Sequence, residues 1–311
     1  MDPVTHTLLG VTAGYALFRK KAGPGAIPIM VLASNLPDLD GAVHLSGQLD
    51  AVLMRRTFGH SLLLVPLWAA ALAWICGLKW RDLTFGRLFG MCLTGAGLHI
   101  FFDLINSFGV VMFWPLSNWR PELAIVFIVD FMLMAILLAP LAAAWVRASL
   151  RPKLISMARW SLALVGAYLL CCGTGRALAQ RSLSQVASTY SPPPAFSYVF
   201  PEPLGPHRWR GVLREKGSWS VYLANSITGR AGLADIILTS DGDPRVEAAR
   251  RTEKGRRLER FFKAPVWQVE PDGSVKAWDL RFMTLIARRE PVFVFEFPTA
   301  QAGRASARQG S

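Results

Sequence analysis

Apolar residues fill six runs in the first part of the chain, at about residues 4–18, 26–37, 61–78, 88–106, 123–146 and 158–178. The last four approach the ~20 residues a helix needs to cross a bilayer and predict spanning helices. The first two are shorter. Arg19-Lys20-Lys21 and the helix breakers Gly23, Pro24 and Gly25 separate them, which predicts a tight helical hairpin buried against its neighbours. After residue 180 the pattern changes to short runs of strand character: Trp209 to Arg214, Trp219 to Ser226, Leu233 to Thr239, Val266 to Val269, Val275 to Phe282 and Val292 to Phe297. Pro271-Asp272-Gly273-Ser274 predicts the turn of a hairpin. The expected architecture is an all-α polytopic membrane domain of about six hydrophobic segments over 1–180, followed by a small, mainly antiparallel β domain over 207–300. Pro192-Pro193-Pro194 and the turn-rich residues around it make 181–206 a linker, and 301–311 a disordered tail.

Composition agrees with a membrane protein: 52% of the 311 residues are hydrophobic, more than soluble domains carry. A formal charge of +13 raises the question of nucleic acid. No reading motif accompanies it, and much of the basic charge before residue 180 sits in short clusters between apolar runs, as orientation signals do. The turns at 19–21, 79–87 and 147–159 hold three, three and four Lys/Arg; the alternate loops hold Arg55 and Arg56, then Arg120. The positive-inside rule therefore places those three turns in the cytoplasm, and the N-terminus and β domain on the outer, periplasmic side of a bacterial inner membrane. Cys76, Cys92, Cys171 and Cys172 all fall in apolar runs and build neither a disulfide framework nor a zinc-type pair. The N-terminus lacks a basic n-region and a small-residue cleavage pattern, which predicts no cleaved signal.

That topology brings a set of polar residues to one outer level: His6 opening the first run, Asp38 and Asp40 closing the second, His60 opening the third, and His99, Asp103 and Asn106 closing the fourth. Ionisable groups at membrane depth are costly and need a partner. His99 and Asp103, four apart on a helix, share one face; Pro37 breaks the helix so that Asp38 and Asp40 can turn toward one centre. The candidate metal ligands are His6, Asp38, Asp40, His60, His99 and Asp103, with Asp130 supporting a histidine from the next helix. Asp38, Arg55, Arg56 and Asn106 are the candidate catalytic groups, an arginine meeting phosphate. Imidazole and carboxylate without thiolate fit Zn2+, with Mn2+ and more than one ion also compatible, and such a site activates water for hydrolysis. Ser61 is a weaker nucleophile candidate because no GxSxG turn surrounds it. His44 and His207 read as structural or solvent-exposed, and Glu122 as a residue at a helix start.

At Met1-Asp2-Pro3-Val4-Thr5-His6-Thr7, Asn35 to Asp40, Gly59-His60-Ser61-Leu62, His99-Ile100-Phe101-Phe102-Asp103, Asn106 and Trp114-Pro115-Leu116-Ser117, the sequence resembles the bacterial membrane-bound metal-dependent hydrolases, some of them LexA-regulated. The resemblance covers residues 1 to about 135; Pro192 to Trp209 and Asp279-Leu280-Arg281-Phe282 are similar to the tails of longer members. That family is held to be distantly similar to the zinc-dependent phospholipases C and single-strand nucleases, which use a His-x-x-x-Asp helix. The resemblance thus implies phosphodiester hydrolysis, carried onto His99 and Asp103. The reading is a metal-dependent hydrolase acting on a phosphoester, with a lipid or envelope molecule as substrate. The alternatives are an ion or proton pathway, for which the inner ends of the runs supply few polar residues, and a noncatalytic metal-stabilised scaffold.

Overall fold

A computed structural model describes residues 1–42, 48–285 and 291–298. His44 and the tail 301–311 lie outside them. The chain divides into two compact units, Met1–Arg176 with Pro203–His207, and Ala177–Glu202 with Arg208–Ser311.

The first unit is helical. Helix α1 (Pro3–Ala13) starts with Pro3 in its first turn and an Asp2 cap that accepts from the Thr5 amide at 3.0 Å. It runs on through a π-helical segment, Gly14–Phe18, into α2 (Arg19–Ala22), which stops where Gly23 takes φ +63°. After the turn Gly23–Gly25, α3 (Ala26–Asn35) returns beside α1; the Ser34 hydroxyl donates to the His6 carbonyl at 2.9 Å, and the Asn35 amide to Thr7 Oγ1 at 3.2 Å. A 3-10 turn, Leu36–Asp38, follows, then α4 (Leu39–Ala42), α5 (Gln48–Leu53), a 3-10 turn Phe58–His60, α6 (Val65–Lys79), α7 (Phe85–Leu104), α8 (Phe131–Val146), a 3-10 stretch Ala148–Lys153 and α9 (Leu154–Ala187). Helix α3 packs on α7 over Ala26, Ile29, Met30 and Ala33, with Ala69, Ala73, Leu88, Met91 and Cys92 in the same core.

Fewer segments are fit to span than the four expected beside the hairpin. Among the described residues, Phe85–Leu104 and Ala148–Ala187 are long and apolar enough to cross a membrane, and Ala51–His60 with Val65–Lys79 adds a third only if this pair, bent by 73°, counts as one span. The expected run at 123–146 is helical only from Phe131: Leu123 N–H bonds the Leu104 carbonyl and Ile125 N–H the Ile105 carbonyl, both at 2.8 Å, holding this stretch as irregular chain until Asp130 caps α8. Glu122 therefore stands in that irregular stretch and not at a helix start.

In the second unit, β1 (Phe196–Pro201), β2 (Arg208–Glu215), β3 (Ser218–Asn225) and β4 (Arg230–Leu238) form an antiparallel sheet in chain order. Helices α10 (Pro244–Arg251) and α11 (Glu253–Phe261) precede a second antiparallel sheet, β5 (Pro265–Val269), β6 (Val275–Asp279) and β7 (Phe295–Phe297). The Pro271 to Ser274 turn joins β5 to β6 as expected, with Gly273 at φ +83° and Glu270 N–H on the Ser274 carbonyl at 2.9 Å. Residues 181–206, read as a linker, include the end of α9 and all of β1. The two helices were not expected: they bury only Val246, Ala249, Gly255, Leu258 and Phe261, too few apolar residues to stand out amid ten charged ones. Their caps, Asp243 before Pro244 and Thr252 before Glu253, are the signal that marks them.

Candidate metal centre

Three backbone features carry the centre. Pro37 turns the chain out of α3 into the 3-10 segment that ends at Asp38. The turn Phe58–His60 packs on that segment so closely that a Cβ at Gly59 would overlap the Pro37 carbonyl. On the other side, a Cβ at Gly95 would come within 2.5 Å of Ala33 Cβ, so α7 and α3 approach backbone to backbone one turn before His99. Asp38, His60, His99 and Asp103 then present ligand atoms that all lie within 4.8 Å of one another.

His60 and His99 point their Nε2 atoms at each other, 3.0 Å apart. Asp103 Oδ2 is 3.0 Å from His60 Nε2 and 3.5 Å from His99 Nε2; Asp38 Oδ1 is 3.9 and 3.7 Å from the same two atoms. Zinc ligands at ~2.0–2.1 Å in tetrahedral array lie about 3.3–3.4 Å apart, so these separations bracket the expected edge. The hydrogen-bond roles are informative too. His99 Nδ1 faces the Ser34 carbonyl at 2.7 Å, an acceptor only, so this nitrogen carries the proton. His60 Nδ1 faces Asp40 Oδ2 at 3.0 Å and its Nε2 faces Asp103 Oδ2 at the same distance; with the proton on Nδ1, as a metal at Nε2 would require, Nδ1 is likewise the donor. Both Nε2 atoms are then lone-pair acceptors, turned toward each other and toward two carboxylates. Both oxygens of Asp38 are without a hydrogen-bond partner while its side chain is only 15% exposed. Four such groups around one point, one of them orphaned, make a cluster that could hold a metal ion.

The other expected residues stand around this group. Asp40 accepts from the Thr57 amide at 2.9 Å and the Arg56 amide at 3.4 Å besides His60, so it orients a ligand and is not one of the four. His6 stacks on His99 with ring centroids 3.6 Å apart; its Nε2 lies 3.3 Å from Asp103 Oδ1 and 3.1 Å from the Met1 amino group, which also meets Asp103. Arg56 is buried, at φ +60°, with Nε 2.7 Å from Asp103 Oδ2, Nη1 donating to Asn106 Oδ1 at 2.9 Å, and its guanidinium over Phe108. Asn106 Oδ1 also accepts from the Phe108 amide at 2.9 Å. Arg55 contributes its carbonyl, which accepts from Arg120 at 3.1 Å. Asp130 is not beside a histidine: its carboxylate caps α8 and takes the Tyr168 hydroxyl from α9 at 2.8 Å, a helix-to-helix bond. The Ser61 hydroxyl donates to the Trp114 carbonyl at 2.6 Å, which accounts for it without nucleophilic chemistry. Sequence reasoning missed Ser34 and Arg120. Ser34 acts on His99 through a main-chain carbonyl, which no side-chain pattern encodes. Arg120 ties Leu53 and Arg55 by their carbonyls, and its separation from the other candidates hid it.

A family model described as YdjM inner membrane protein matches residues 1–179, more than half of the chain and all four clustered ligands. The chain belongs to the YdjM inner membrane protein family. With the apolar helices, that membership makes it a membrane protein of inner-membrane type. The YdjM match ends near the close of α9, and the β unit lies beyond it. A longer likeness is to a Bacillus subtilis (strain 168) protein named "Uncharacterized protein YfhP", 22% identical over 303 residues, which covers 95% of this chain and 89% of that one. No solved structure matches the chain.

Proposed function

We propose that the centre holds a divalent cation, Zn2+ first and Mn2+ second, and that the protein hydrolyses a phosphoester at the membrane surface, on a lipid or envelope substrate. The observation that carries this reading is the facing pair of Nε2 lone pairs with the orphaned Asp38 carboxylate. A cation bound by such ligands supplies Lewis acidity and lowers the pKa of coordinated water to near neutrality. The protein's own groups hold that arrangement. Asp40 and the Ser34 carbonyl keep the Nδ1 protons of His60 and His99 in place and so aim both Nε2 atoms; Arg56 fixes Asp103 and offsets its charge. Arg56 is occupied by Asp103 and Asn106, which leaves Arg55, half-buried beside it, as the arginine to meet a substrate phosphate. Asp38, the one ligand with exposed surface, marks the side from which substrate enters. The basic turns at 19–21, 79–87 and 147–159 support placing the β unit on the periplasmic side.

A second reading has its own observation. Four protein ligands close a tetrahedral shell, and closed shells are structural. Purified protein assayed with phospholipid, isoprenoid-phosphate and nucleotide esters separates the two. For the enzyme, turnover rises through a pKa near 7, stops with chelator, returns with Zn2+ or Mn2+, and is lost in Asp103→Asn. Bound metal in the wild type, with every ester hydrolysed no faster than by Asp103→Asn, defeats the enzyme in favour of the scaffold. Metal retained at full stoichiometry in both His60→Ala and His99→Ala, as in the control His207→Ala, defeats the centre itself.

A further inference from the structure

The first unit has a second polar feature, built by different residues. A cavity of about 680 Å3 opens where the π-helical segment and α2 meet the end of α8 and the start of α9. This lies within the ~300–1,000 Å3 common for small-ligand sites. Arg19, Lys20 and Arg151 line it together with Tyr15, Trp145 and Leu141, and no carboxylate is among the residues lining it. None of the three cations has a carboxylate among its described partners; Arg151 Nε is 3.4 Å from the Ala144 carbonyl at the end of α8. Three like charges around one cavity repel each other until an anion joins them. The rest of the wall is apolar or amphipathic, and Trp145 is 81% exposed beside it. The cavity sits where the apolar helices α8 and α9 are joined by the 3-10 stretch, with its cations on the turns and Leu141, Ala144 and Trp145 on the apolar helix α8 beside them. The π segment that carries Tyr15 is braced by Arg159, whose Nε donates to the Ala16 carbonyl at 3.0 Å, and such segments concentrate at functional positions.

We propose that this cavity binds the phosphate headgroup of an anionic phospholipid. Arg19, Lys20 and Arg151 take the phosphate, Tyr15 and Trp145 border the glycerol region, and Leu141 meets the first methylenes. Basic pockets between membrane helices recognise anionic lipid in this way. The site shares no residue with the metal centre, and its test is independent of hydrolysis.

The experiment is native mass spectrometry of the full chain in detergent, titrated with phosphatidylglycerol, phosphatidylcholine or inorganic phosphate. One phosphatidylglycerol per chain is expected to bind more tightly than phosphatidylcholine. Arg19→Gln, Lys20→Gln and Arg151→Gln combined should weaken it by roughly fivefold for each charge removed. Lys79→Gln, Arg81→Gln and Arg87→Gln combined remove the same charge from another basic turn and should leave it unchanged. Lys20→Glu, a single exposed change, repeats the test if the triple variant does not fold. Equal weakening by the two triple variants, or equal binding of phosphatidylglycerol and phosphatidylcholine, overturns the site. Inorganic phosphate binding as tightly as phosphatidylglycerol overturns the lipid assignment, because the apolar wall then contributes nothing.

Discussion

Asp38 and Asp40 stand one residue apart and face different partners. Asp38 turns to the cluster with both oxygens unsatisfied, while Asp40 is filled by two backbone amides and His60 Nδ1. Residue types and spacing picked out both, with His60, His99 and Asp103, because buried imidazoles and carboxylates among apolar neighbours have few other reasons to be there. Which carboxylate points inward was not legible. It depends on the 3-10 turn Leu36–Asp38 that ends at Asp38 and on α4, which carries Asp40 toward the amides of residues 56 and 57. The difference predicts graded effects. Asp40→Asn keeps a side chain at His60 but gives up the carboxylate's charge, and should reduce metal affinity by about 10–100-fold, as loss of a supporting partner does. Asp38→Ala should reduce it further. Competition against a fluorescent chelator measures both, and an Asp40→Asn affinity below that of Asp38→Ala would reverse the two roles.

At the scale of elements, the centre depends on backbone approach more than on any side chain. Gly59→Ala drives a methyl group into the Pro37 carbonyl and must part Phe58–His60 from Leu36–Asp38, which separates His60 from Asp38. A loss of about 1–3 kcal/mol is expected from such overpacking, with loss of bound metal. Gly97→Ala is the control: a Cβ there meets nothing within 4 Å, and in mid-helix it should leave stability unchanged or raise it by up to ~1 kcal/mol. Thermal unfolding in detergent with metal content reads both; equal stability of the two variants would remove the close contact as a determinant. Such contacts are invisible in a sequence, where Gly59 and Gly97 look alike. Apolar runs were legible as buried helices, and alternating residues as strands. The number of spans was not, since a run such as 123–146 has the composition of a membrane helix while its first residues bond to the carbonyls of Leu104 and Ile105.

At the scale of the whole molecule, orientation is the property to measure. With Cys171, the exposed native thiol, replaced by Ser, Thr228→Cys in the exposed β3–β4 turn should react with a membrane-impermeant maleimide on intact cells, and Ser149→Cys only after permeabilisation. The opposite pattern would place the β unit, and the proposed substrate, in the cytoplasm. The clustered ligands also set an order of events during synthesis. Asp38 and His60 leave the ribosome well before His99 and Asp103, and His99 takes its orientation from the Ser34 carbonyl 65 residues earlier. A nascent chain that has delivered only α6 owns half a shell and no means of aiming it. If the proposed centre holds an ion, its capture must follow insertion of α7 and its closure onto α3, which would make metal loading a late step of biogenesis and expose the newly inserted protein to whichever divalent cation its compartment offers.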